Sequence, residues 1–140
     1  MAVIGYSVHG IDLKGGITLK AAGLVAADTS ETGVFLGRGF FLIRIVNSAV
    51  EIASNDEIYN MAIEASTTSG GSTWKKIGNY LFSCLEANGG EGDSSEAEDV
   101  AFGIFNPYAG EVRVSTYVAG TIATGINSIV TAFPVTVVPH

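Results

Sequence analysis

Charge is what this chain has least of. Of its 140 residues 15% are charged and 47% hydrophobic, where an average soluble domain carries about 25% charge. Its seven basic residues are Lys14, Lys20, Arg38, Arg44, Lys75, Lys76 and Arg113, against fourteen acidic ones, for a net charge of −7. Only Lys75 and Lys76 adjoin, and neutralising phosphates needs clustered Lys and Arg, so no direct nucleic-acid partner is expected. Cysteine is nearly absent too. The single Cys84 excludes an intrachain disulfide and a multi-cysteine metal site. Its apolar neighbours Phe82 and Leu85 mark it as a core thiol, and such usage fits folding in a reducing cytoplasm. No apolar run approaches the roughly 18 residues of a membrane helix. The opening MAVIGY has no basic segment ahead of an apolar stretch, so neither a membrane partner nor a signal peptide is expected.

Catalytic chemistry is as sparse. The two histidines, His9 and His140, lie in the terminal segments and read as exposed bystanders. The carboxylate pairs Asp56–Glu57 and Glu98–Asp99 sit at adjacent positions, which point to opposite faces of a strand and so do not converge. Six acidic residues between 86 and 99 come without a basic one and read as a solvated loop; its glycines and acids hint at calcium but lack the ordered ligand spacing of an EF-hand. Gly37-Arg38-Gly39 has neither the spacing nor the Lys-Ser/Thr pair of a phosphate cradle. Trp74 beside Lys75 and Lys76 imitates a sugar-stacking platform, but reads first as a core or inter-sheet tryptophan. These residues assemble no nucleophile–base pair, so we expect no enzyme, no cofactor and no metal.

What is there is β-pattern. Tyr59, Met61, Ile63 and Ala65 alternate with Asn60, Ala62 and Glu64, the period of a half-buried strand. Residues 40–46 are aromatic and β-branched, and residues 74–85 read as one or two strands broken near Gly78. Val100, Phe102 and Ile104 share a face, as do Val112, Val114, Thr116 and Val118, with a turn at residues 106–110 between them. Pro134 marks an edge position or a bulge, because it cannot donate to a ladder. Seven or eight short strands without a long amphipathic helix predict an all-β, antiparallel, jelly-roll-like β-sandwich; an immunoglobulin-like sandwich is the alternative. The Gly- and Ala-rich residues 1–33 have the weakest core pattern and are expected to form an extended N-terminal arm or edge segment. Residues 34–140 then form the sandwich of a single-domain protein.

The layout resembles the small jelly-roll cement, or decoration, proteins that coat the heads of tailed bacteriophages. The resemblance rests on the Gly/Ala-rich opening before a buried strand at 40–46, and on the strand at 58–65 followed by a Ser/Thr/Gly loop and Trp74. It rests also on the arginine-bearing EVRVSTYV at 111–118, and on Ala119-Gly120-Thr121 before the closing strand at 129–133. The pattern spans residues 34–135.

That resemblance implies a structural virion protein on the capsid exterior, assembled in the host cytoplasm. It would bind across neighbouring major capsid protein subunits and stabilise the head. It also implies a homo-oligomer, with a dimer favoured over a trimer because isologous contacts are commonest. Low charge fits this, since a free monomer so poor in charge would tend to associate. The apolar residues of the arm lack an evident core, so Val3, Ile4, Tyr6, Ile11, Leu13, Ile17 and Leu19 are the expected capsid or subunit contacts. The competing expectations are a carbohydrate-binding module, with Trp74, Tyr80 or Tyr108 as an aromatic platform, and another virion component of tail, connector or receptor-binding head.

Overall fold

A computed structural model of the chain describes residues 15–68, 73–83 and 98–135, and all that follows concerns these. They form a β-sandwich of ten antiparallel strands with no helix. In chain order these are β1 (Ile17–Lys20), β2 (Leu24–Val25), β3 (Thr29–Ser30), β4 (Val34–Phe35), β5 (Gly39–Val50), β6 (Ile58–Ser66), β7 (Trp74–Ser83), β8 (Glu98–Asn106), β9 (Glu111–Ala119) and β10 (Ile126–Pro134). One sheet runs β1-β10-β5-β8, with β2 also on β10; the other runs β3-β9-β6-β7, with β4 also on β9.

The alternation in the sequence becomes the core between the sheets. Tyr59, Met61, Ile63 and Ala65 of β6 are fully buried, and meet Ile43 and Ile45 of β5, Val112 and Val114 of β9, and Val130 and Ala132 of β10. The larger of these side chains each contribute about 1.5–3 kcal/mol, which offsets the cost of ordering the strands. Bulges reset the phase where the alternation slips. β5 buries Phe41, Ile43, Ile45 and Asn47, then Val50, because the ladder to β10 skips Ser48. β7 runs unbroken through Gly78 but skips Ile77 in its ladder to β6. A bulge is one extra residue on one strand, and it moves every later side chain to the opposite face.

As far as it is described, the segment expected to be an arm or edge segment lies along the edges of both sheets. β1 and β2 pair β10, and β3 pairs β9, so residues before 34 contribute to both sheets. Leu19 is 4% exposed and lies in the core, while Ile17 is half-buried opposite Ala132; Leu19 is therefore not a free contact residue. Its burial follows from a slip in the β1–β10 ladder between Thr18 and Lys20, which turns both Leu19 and Lys20 inward. The Lys20 ammonium is held there by three backbone carbonyls, of Ala21 (3.1 Å), Gly23 (3.1 Å) and Ser128 (2.9 Å). Burial lowers its pKa from the usual lysine value. Val3, Ile4, Tyr6, Ile11 and Leu13 lie outside the described residues, as do Cys84, both histidines and most of the acidic loop.

Pro134 closes β10 opposite Phe41, two residues beyond the last position paired with β1. On that side no ladder bond is interrupted, and the edge position expected of this proline is met locally.

Candidate interaction face

The outer surface of the β1-β10-β5-β8 sheet carries an exposed apolar groove. The odd positions of β5 fill the core, so Phe40, Leu42, Arg44 and Val46 point outward. In the β5–β8 register these stand opposite Phe105, Gly103, Ala101 and Asp99. The Phe40 and Phe105 rings lie 4.8 Å apart at 51°, a tilted contact that holds both in place while leaving them 63% and 49% exposed. Between Leu42 and the two rings, Gly103 leaves a gap: a Cβ built there meets nothing within 4 Å. The result is a shallow groove of about 560 Å³, lined by Phe40, Leu42, Gly103, Phe105 and Val135. Ile129 of β10, 41% exposed, lies two rows further along the sheet, opposite Val46 and beyond the Arg44 row.

The charged groups that β5, β8 and β10 present on this surface cancel. Arg44 donates from Nε to Asp99 Oδ1 at 2.9 Å and from Nη2 to Oδ2 at 2.6 Å. Those hydrogen bonds hold the Asp99 carboxyl below its ordinary pKa. Both side chains are about half exposed, so the pair contributes little to stability. Its consequence is a face without net charge on a chain whose net charge is −7.

Behind the face a polar chain crosses the interior. Ser128 donates to Asn47 Oδ1 (2.5 Å), Asn47 donates to the Tyr80 hydroxyl (2.9 Å), and Tyr80 donates to Glu98 at the start of β8. Burial raises the Tyr80 pKa, and the Glu98 carboxylate raises it further. This chain ties β7 of one sheet to β5, β8 and β10 of the other, and satisfies polar groups that would be costly to bury alone.

The outer surface of the second sheet is mixed: Phe35, Leu81 and Tyr117 are exposed on it, around a polar cluster. Glu64 of β6 stands opposite Arg113 of β9 and accepts from its Nε at 2.9 Å, from Ser115 Oγ at 2.5 Å and from the Tyr117 hydroxyl at 3.2 Å. Burial raises the Glu64 pKa, but the bonds from Ser115 and Arg113 outweigh it and hold the carboxyl below its usual value. The Arg113 guanidinium in turn stacks on the Trp74 ring at 4.1 Å, a cation–π contact. Trp74 is therefore neither in the core nor between the sheets: it pairs with Ser66 on the outward side of β7. The ladder slip at Ile77 puts it there.

Of the other aromatic candidates, Tyr80 is engaged through its hydroxyl, and Tyr108 packs against the core. Phe40 and Phe105, which carry the exposed face, were not singled out by the sequence; aromatic residues at outward positions of two strands were the available signal. Among the described residues no three His, Cys, Asp or Glu side chains converge to hold a metal ion. Comparison of the chain with protein-family models, curated proteins and solved structures returns no match.

Proposed function

We propose that this chain is a structural assembly protein, and specifically a capsid cement protein that binds across neighbouring major capsid subunits on the outside of a phage head. The observation that carries the reading is the uncharged apolar groove, with Phe40 and Phe105 exposed along one sheet. Contiguous apolar surface with a polar surround marks a contact region for other protein. Exposed aromatic residues on such a face supply much of the binding energy when a partner buries them.

The strand order supports the same reading. Counting β1 with β2 and β3 with β4 leaves eight strands, ordered first-eighth-third-sixth in one sheet and second-seventh-fourth-fifth in the other. That order fits two wound Greek keys, the jelly-roll pattern that capsid and lectin domains share. A cement protein works by mass action: binding the assembled shell but not its free subunits stabilises the shell. The carbohydrate-binding alternative loses support from Trp74, because Arg113 occupies one face of its ring.

The test is the composition of purified particles. Quantitative mass spectrometry of gradient-purified virions should find the chain in copy numbers comparable to the major shell subunit. Replacing Phe40 by Glu should reduce that occupancy while the isolated protein stays folded. Absence from particles, or a glycan-dependent interaction of the isolated chain, rejects the capsid role.

A further inference from the structure

The geometry points to a second copy of this chain as the first occupant of the exposed face, paired antiparallel through β8 so that Phe105 of each copy covers Gly103 of the other. The inference rests on reading this face as one that other protein covers.

Strand edges carry unpaired backbone N–H and C=O groups, and proteins blunt the edges they keep free with short strands, bulges, lysine or proline. The other edges of this sandwich are blunted in these ways. β3 and β4 have two residues each, β1 has four and a ladder slip, and β7 carries Lys75 and Lys76 beside its bulge. β8 is the exception. It ends its sheet, spans nine residues (EDVAFGIFN) without lysine or proline, and matches β5 over nine consecutive pairs with no irregularity.

The occupant follows from self-complementarity. The open gap above Gly103 and the exposed ring of Phe105 belong to one strand, two positions apart on the same face. An antiparallel pair with Ile104 opposite its own counterpart sets each Phe105 directly across from the other copy's Gly103. One two-fold operation fills both gaps, as an isologous contact requires. An aromatic ring laid over a cross-strand glycine is a known way to repair an edge.

Charge selects the same register. The acidic end of β8, Glu98 and Asp99, falls at opposite ends of the pair. The two Asp99 positions are then about 33 Å apart at ~3.3 Å per residue, several times the Debye length of about 8–10 Å. A register shifted toward the start of β8 would bring these acids together. In the Ile104-centred pair Phe40 and Ile129 lie off the strand axis, and stay available to the shell. An interface of one short ladder and two rings is small, so the dimer belongs to the weak, concentration-dependent class.

The experiment is sedimentation equilibrium of the isolated chain from about 1 to about 100 µM, wild type beside Gly103→Lys. The wild type should show a monomer–dimer equilibrium, and Gly103→Lys should weaken it by at least about tenfold with unchanged circular dichroism. Hydrogen exchange on the wild type gives an independent reading: the β8 amides that point away from β5 should slow as concentration rises. A wild type that is monomeric throughout, a Gly103→Lys chain that dimerises equally well, or β8 amides indifferent to concentration each overturn the inference. Particle binding is scored separately. A dimer that ignores particles supports this inference and rejects the capsid role, whereas a monomer that decorates particles rejects the inference and supports that role.

Discussion

Glu51, just past the end of β5, accepts the backbone N–H of Gly125 at 3.0 Å across a connection 74 residues later in the chain. The same oxygen accepts the N–H groups of Ala123 and Thr124, both at 2.8 Å. Three successive amides turned toward one carboxylate form an anion-binding nest, here filled by the protein's own side chain. Asp56 holds the other end of the connection, taking the N–H and the hydroxyl of Thr121 at 2.9 and 2.8 Å. The β9–β10 connection is thus fastened by two carboxylates to the loop that joins β5 to β6.

The first prediction concerns pH. The bond from Gly125 leads in lowering the Glu51 pKa, and the bonds from Thr121 lower that of Asp56. A carboxyl whose pKa is lower folded than unfolded adds stability above its unfolded value, and that stability is lost as pH falls through the folded one. Glu51→Gln should therefore melt below the wild type at neutral pH, with the gap closing below about pH 4. Thermal melts across that range check it; an equal gap at both ends would show that the charge of Glu51 is irrelevant.

Two glycines in the same connection set the second prediction. Gly120 has φ +94° and Gly125 φ +85°, and a Cβ would lie 2.1 Å from the Asp56 carbonyl oxygen and 1.9 Å from that of Val25, respectively. The left-handed conformation alone costs a non-glycine residue about 1–2 kcal/mol, and the overlap with rigid backbone adds to it. Either glycine replaced by Ala should destabilise by more than ~2 kcal/mol, seen as a lower urea midpoint at unchanged slope.

Glycines inside strands divide by the space around them. A Cβ at Gly78 on β7 would lie 2.7 Å from Ile104 Cγ2 and 3.2 Å from the Phe102 ring, whereas one at Gly103 meets nothing. Gly78→Ala overpacks the closed edge between the sheets and should cost about 1–3 kcal/mol. Gly103→Ala should be neutral or stabilising by up to about 1 kcal/mol, because alanine restricts the unfolded chain. Denaturation of the two variants side by side checks this, and equal losses would refute the assignment of Gly103 to open surface.

The contrast between these glycines shows what was legible in the sequence. Period-two patterns place β6, β8 and β9 and tell which of their residues face inward, because a strand between core and solvent has no other regularity. β2, β3 and β4 have two residues each, too few for any period, so the opening third reads only as an arm or edge segment, and its division between the two sheets is not legible. Bulges at Ser48 and Ile77 depend on the partner strand and leave no local signature, which is why Trp74 was assigned to the wrong surface. The exposed face needed register above all. Phe40 and Phe105 are 65 positions apart in the chain, and only the pairing of β5 with β8 makes them neighbours.

Trp74, the only tryptophan, supplies the last prediction, since it sits under Arg113 and so reports on Glu64. Above the ordinary glutamate pKa the Glu64 carboxylate holds Arg113 over the indole ring. Because the pKa of Glu64 is lowered from 4.5, protonation should release Arg113 only below that pH and shift the tryptophan emission there. Glu64→Gln removes the carboxylate at every pH. It should abolish the emission transition and, by leaving partly buried donors poorly paired, cost about 1–3 kcal/mol. Far-UV circular dichroism over the same titration separates this local event from acid unfolding, since emission should change before the sheet signal does. A wild-type transition centred at or above the ordinary glutamate value, or one that persists in Glu64→Gln, would mean that Glu64 does not control the position of Arg113 on the ring.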